Sequence, residues 1–191
     1  MTSRSTFDIT WDYPVILWFL AELLGQYKFN FTIIGMIQRL VEPLADDTNL
    51  PGLHSNRLLA SLALTKIQKT INDQQPTTSR ELQTNKLPGI EHIIFKLQSG
   101  EIRNTIKSEL PSHNTTLRYG TSGIAWIYRQ LHRLTGGNHF KEEMDYWTSQ
   151  TVRSGITDEL YPGSGTEKSY GILEGLTGNL LISEILGTKG F

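Results

Sequence analysis

The chain has 191 residues, a formal net charge of −1, 38% hydrophobic and 19% charged residues, and no cysteine. That suits one domain of ordinary size with enough apolar side chains for a core. It excludes a disordered chain and, on charge, a nucleic-acid partner. The missing cysteines exclude disulfides, thiolate nucleophiles and cysteine-held zinc or iron–sulfur centres, and they fit a reducing compartment.

Helical periodicity runs nearly throughout. Asp12 and Pro14 have the character of a helix start, an Asp to cap free N–H groups and a Pro in the first turn. The run from Val15 to Leu24 is apolar on most sides, so this first helix is expected to be largely buried, with Gly25 as its stop. The run contains Glu22 and is shorter than the about 20 residues a membrane span requires. Asp8 and Asp12 precede it and no small-x-small cleavage site follows, so neither a membrane span nor a signal peptide is expected, and a soluble cytoplasmic protein is. The Asn-x-Thr triplets at Asn30 and Asn114 are read as chance.

A second helix is predicted over Thr32–Leu44, where Ile33, Ile34, Ile37, Leu40, Val41 and Leu44 follow the i, i+3, i+4, i+7 pattern, with Pro43 ending or kinking it. Asp46–Pro51 reads as a loop. A third helix is predicted to start near Ser55 or Asn56, either serving as cap, with Leu58, Leu59, Leu62, Ala63, Ile67 and Ile71 as its apolar stripe. Residues 73–88 are polar and read as a long, mobile loop suited to contact with a partner.

Helices over Ile90–Gln98 and Glu101–Leu110 follow, or a single helix broken at Gly100. After a turn at 111–116, a helix from Ser122 to Leu134 is stopped by Gly136 and Gly137, and another covers Asn138–Val152. Residues 155–171 read as loop, and a last helix as Ile172–Leu186. No stretch alternates in the manner of a strand, so the fold class is all-α. Trp18, Trp126, Tyr128 and Trp147 are spaced as core aromatics.

Three segments read alike: Gly52-Leu-His-Ser-Asn-Arg-Leu-Leu, Gly120-Thr-Ser-Gly-Ile-Ala-Trp-Ile and Gly175-Leu-Thr-Gly-Asn-Leu-Leu-Ile. Each sets a glycine at the mouth of an apolar helix, and the last two share Gly-x-x-Gly through Gly123 and Gly178. The leading glycines stand 68 and 55 residues apart, about one helical hairpin with its loops, as in solenoids and α/α toroids. Glycine permits close backbone approach and tight turns where helices converge. Helix N-termini at such a mouth present free N–H groups and partial positive charge, able to receive an anionic or peptide ligand.

The segments Tyr119–Trp126 and Gly171–Leu181 resemble the inner-helix starts of the lanthionine synthetase C-like (LanC-like) family, and Trp11–Val15 and Leu53–Leu58 resemble its diverged members. The similarity spreads over most of the chain and matches roughly the C-terminal half of that fold. The resemblance implies an α/α toroid of two concentric helical rings around a central zinc. In the family two cysteines and one histidine hold that zinc, which activates a peptide thiol for addition to dehydroalanine or dehydrobutyrine.

This chain departs from that pattern at the metal. The family's Trp-Cys-Tyr-Gly and Cys-His-Gly segments are absent, so no cofactor and no metal site are expected, and the three or four hairpins leave the ring incomplete. The resemblance implies a pseudoenzyme of lanthipeptide biosynthesis that binds a peptide or a modifying enzyme, its ring completed by a partner half or by self-association, or else a decayed or truncated member. The helix-mouth residues His54, Asn56, Arg57, Tyr119, Ser122 and Glu174 are the candidate binding set, with Gly52, Gly120, Gly123, Gly175 and Gly178 structural.

Two other readings stand beside this one. One is an active enzyme completed by a partner chain, either a lanthionine cyclase or another α/α-toroid enzyme such as a glycoside hydrolase. The latter uses two carboxylates about 5–9 Å apart, for which Asp158, Glu159 and Glu174 are the available acids. The other is a structural helical-repeat fragment with no ligand, its apolar face covered by another chain. Among His54, His92, His113, His132 and His139 no two have the spacing of a helical metal pair.

Overall fold

The computed structural model describes residues 9–27, 31–46, 54–74, 89–109 and 120–160. All regular structure among these residues is helical: α1 (Ile9–Gln26), α2 (Phe31–Asp46), α3 (His54–Gln74), α4 (Ile90–Leu97), α5 (Gly100–Glu109), α6 (Thr121–Thr135) and α7 (Asn138–Leu160). The chain divides into two compact units, residues 1–103 and 104–191, each with its own packing. None of the described helices is long and apolar enough to cross a membrane.

In the first unit α1 packs chiefly on α3 and also on α2, while α4 packs on α3 and α2, so the contacts close a cycle of four helices. The core is aliphatic. It takes Leu17, Leu20, Ala21 and Leu24 from α1, Ile33, Ile34, Ile37 and Val41 from α2, and Ile90, Ile93, Ile94 and Leu97 from α4. The predicted stripe of α3 is buried at Leu58, Leu62, Ala63, Ile67 and Ile71, but so are Ala60, Ser61, Leu64 and Thr65, while Leu59 is only half-buried. A helix with neighbours on more than one side buries more than one stripe. The two buried hydroxyls stay satisfied, because Ser61 donates to Leu58 O (2.7 Å) and Thr65 to Ser61 O (2.7 Å).

Polar contacts fasten the same helices. Tyr13 is buried and its hydroxyl donates to the Leu40 carbonyl, tying α1 to α2. Gln74 Nε2 donates to Leu24 O at 3.1 Å, and Gln98 Nε2 to Thr65 Oγ1 at 3.1 Å. Lys66 of α3 pairs with Glu22 of α1 and lies 4.7 Å from the centre of the Trp18 ring. That contact uses the face of a half-buried ring, so Trp18 is a partner to a cation rather than the core aromatic its spacing suggested. Trp126 is likewise half-buried, whereas Tyr128 and Trp147 are core.

Several element ends differ from the sequence reading. The first helix begins at Ile9, with Pro14 inside it, rather than at Pro14. At the sixth position the proline removes the backbone bond to residue 10, and the helix nevertheless continues past it. Nor is that helix largely buried, since Val15 and Phe19 are 57% and 59% exposed. The third helix starts at His54, which puts Ser55 and Asn56 within the first turn instead of at the cap. The break between α4 and α5 falls at Gln98–Ser99, and Gly100 opens α5. Ser99 takes the capping place, its carbonyl accepting from the Arg103 amide at 3.2 Å. The helix after Gly137 runs to Leu160, so the expected loop does not begin at Gly155. One glycine costs a helix only about 1 kcal/mol. Residues 75–88 of the expected loop and the last helix, 172–186, lie outside the described residues, while 73 and 74 belong to α3.

The second unit is built on the antiparallel hairpin of α6 and α7. Gly136 closes α6 in the left-handed region at φ 73°, its amide donating to His132 O at 2.7 Å. That is the glycine-ended helix stop expected from the sequence. Thr135 Oγ1 accepts from the Gly137 amide at 3.2 Å, and the His132 ring lies with Nδ1 3.1 Å from Gly137 O, in reach of a donated hydrogen bond. The turn is thereby held from both sides.

Two tests follow from these backbones. Gly136→Ala should lower stability by about 1–2 kcal/mol, because an L side chain is strained at this φ even with open space around it. Gly35→Ala, inside α2 with nothing near its added Cβ, should raise stability by about 0.5–1 kcal/mol. Urea denaturation with an unchanged slope reads both.

A third test concerns Tyr13. Burial holds its phenol well above the ordinary 10.0. Above that pH the unfolded chain has released the proton and the folded chain retains it, so stability falls as pH rises through about 10. Tyr13→Phe should be less stable than the parent at about pH 8 by about 1 kcal/mol and show a shallower alkaline fall. Parallel falls in the two proteins would show that Tyr13 does not carry the effect.

Candidate functional site

The sequence proposes helix mouths as the site, and the structure describes two of them, one in each unit. At the first, His54 is the opening residue of α3, its side chain outside the described set. Asn56 and Arg57 lie in the first turn, half-buried, and both are engaged by other groups. Gly52 lies outside the described residues, as do Tyr119, Glu174, Gly175 and Gly178. The side chains of Asp158 and Glu159 at the end of α7 are also outside them, so the carboxylate pairs of the hydrolase reading fall beyond what is described.

The mouth of α6 is described in full from Gly120 onward. Gly120 is the N-cap and has no side chain to cap with, so the amides of the first turn gain no side-chain acceptor from it. Its backbone is extended, with φ −121° and ψ −173°, a conformation open to any residue. The tight glycine turn expected here is therefore not what Gly120 supplies. The ladder begins with the Ile124 amide donating to Gly120 O at 3.3 Å. Thr121, Ser122 and Gly123 are all buried, so the helix start lies inside the unit and the partial positive charge of its dipole is sheltered from water.

Two hydroxyls organise this mouth. Thr151 Oγ1 of α7 lies 2.8 Å from Thr121 Oγ1 and 3.0 Å from Trp147 O, and both threonines are buried. Each hydroxyl has one proton, so both contacts are satisfied when Thr151 donates to the Trp147 carbonyl and Thr121 donates to Thr151. The pair locks the start of α6 to α7 thirty residues away. The sequence reading missed Thr151. Its signal is positional, because Phe140, Trp147 and Thr151 recur at helical spacing along one face of α7, and all three are buried.

Glu143 lies beside that stripe and was also missed. Lys107 Nζ of α5 donates to Glu143 Oε1 at 2.8 Å and stands 4.4 Å from the centre of the Tyr146 ring. The carboxylate is only 12% exposed and the lysine 31%, so one charge is sheltered and the other wet at its tip. Tyr146 meets Trp147 edge to face, with ring centres 5.1 Å apart. Glu143 Oε2, Trp147 Nε1, Thr148 Oγ1 and Arg129 Nη1 are buried without a hydrogen-bond partner among the described residues.

The histidines whose side chains are described do not assemble. His92 is exposed on α4, His132 is occupied at the hairpin turn, and exposed His139 rests on the Phe140 ring with centres 3.9 Å apart. Among the described residues no three His, Asp or Glu side chains are gathered to hold a metal ion. His113 lies outside them. No protein-family model, curated protein or solved structure matches the chain.

The hydroxyl lock gives a direct test. Thr151→Val should cost about 1–3 kcal/mol, because it leaves the buried Thr121 proton without its acceptor, and Thr121→Val about 1 kcal/mol, because Thr151 keeps its bond to Trp147 O. The double variant should cost less than the two single costs together by about 1 kcal/mol. Additive losses in denaturant titrations would show that the two hydroxyls act separately.

Proposed function

We propose that the chain is a LanC-like helical protein of lanthipeptide modification that binds a peptide or a modifying enzyme at its helix mouths and does not itself close thioether rings. The observation that carries the reading is the mouth of α6, a glycine-headed helix start with no side-chain cap and with Thr121 and Ser122 buried at its first turn. A helix start carries partial positive charge, which favours a carbonyl or carboxylate placed beside it. The family resemblance of Tyr119–Trp126 and Gly171–Leu181 supplies the link to peptide modification.

The non-catalytic part rests on chemistry. Thiol addition of that type draws on a zinc held by two cysteines and a histidine, and this chain has no cysteine. The architecture that goes with the reading is an α/α toroid arc, completed by a second copy or a partner chain. The all-helical order of α1–α7 is compatible with such an arc.

Light scattering and metal analysis on one purified sample test this reading. We expect a zinc-free oligomer. A zinc-free monomer would overturn completion of the ring by self-association, and one zinc per chain would overturn the non-catalytic assignment. A synthetic peptide carrying one cysteine and one dehydrobutyrine should bind and keep its thiol titratable. Loss of that thiol on incubation would mean the protein is a cyclase, and absence of binding at millimolar peptide would remove the peptide-binding reading.

A further inference from the structure

We draw no further inference here: the strongest candidate, the exposed apolar side chains Val15 and Phe19 on α1, is a surface patch for which nothing in the structure shows what covers it.

Discussion

The first unit depends on the burial of α3 along most of its circumference. A 21-residue helix whose middle is buried at Leu58, Ala60, Ser61, Leu62, Ala63, Leu64, Thr65 and Ile67 must have neighbours on more than one side. That requirement brings α1 and α4 against it, and α2 then spans the gap by packing on both. Small residues make the close approach possible. Ala60, Ser61 and Ala63 let neighbouring backbones come near, and the serine and threonine hydroxyls fold back onto the helix's own carbonyls, so the small polar side chains are buried without being left unsatisfied. Polar links at the rim, Tyr13 to Leu40, Gln74 to Leu24 and Gln98 to Thr65, add direction to an aliphatic core that would otherwise tolerate sliding.

The second unit solves a different problem. Among its described residues, the α6–α7 hairpin is fixed at the turn and again at its open end. Gly136 and the groups around Gly137 hold the turn, and the Thr121–Thr151 hydroxyl pair holds the open end. Between them lie Tyr128 and Phe140, with ring centres 6.3 Å apart, and the edge-to-face pair of Tyr146 and Trp147. Lys107 brings α5 against this hairpin through a sheltered carboxylate. Because Glu143 is more buried than its partner, the pair contributes more to where α5 sits than to stability.

These two designs bear on function through the helix mouths. The start of α6 is buried, bears no side chain at its cap and is tied to α7 by the Thr121–Thr151 hydroxyls, so the positive end of its dipole is sheltered from water. Under the proposed reading, thioether ring closure would need a thiolate-holding metal, and the composition of the chain supplies no cysteine for one.

The existence, order and type of all seven described helices were legible in the sequence, because 3.6-residue periodicity and the left-handed stop at Gly136 are local properties. The ends of α1, α3 and α7 were not, since a lone proline or glycine shifts the local balance by only a few kcal/mol and neighbouring contacts can outweigh it. Of the proposed site, Ser122, Gly120 and Gly123 were legible as a glycine-headed helix start and are buried there. Thr151, Glu143 and Lys107 were not, because their roles depend on which residues thirty or more positions away come to face them. The sequence by itself determined a cysteine-free chain whose described residues are helical, with Gly120 heading one of those helices. Only the tertiary structure decided that α3 is enclosed while Val15 and Phe19 of α1 face outward, because an apolar side chain is buried only where another element arrives to cover it.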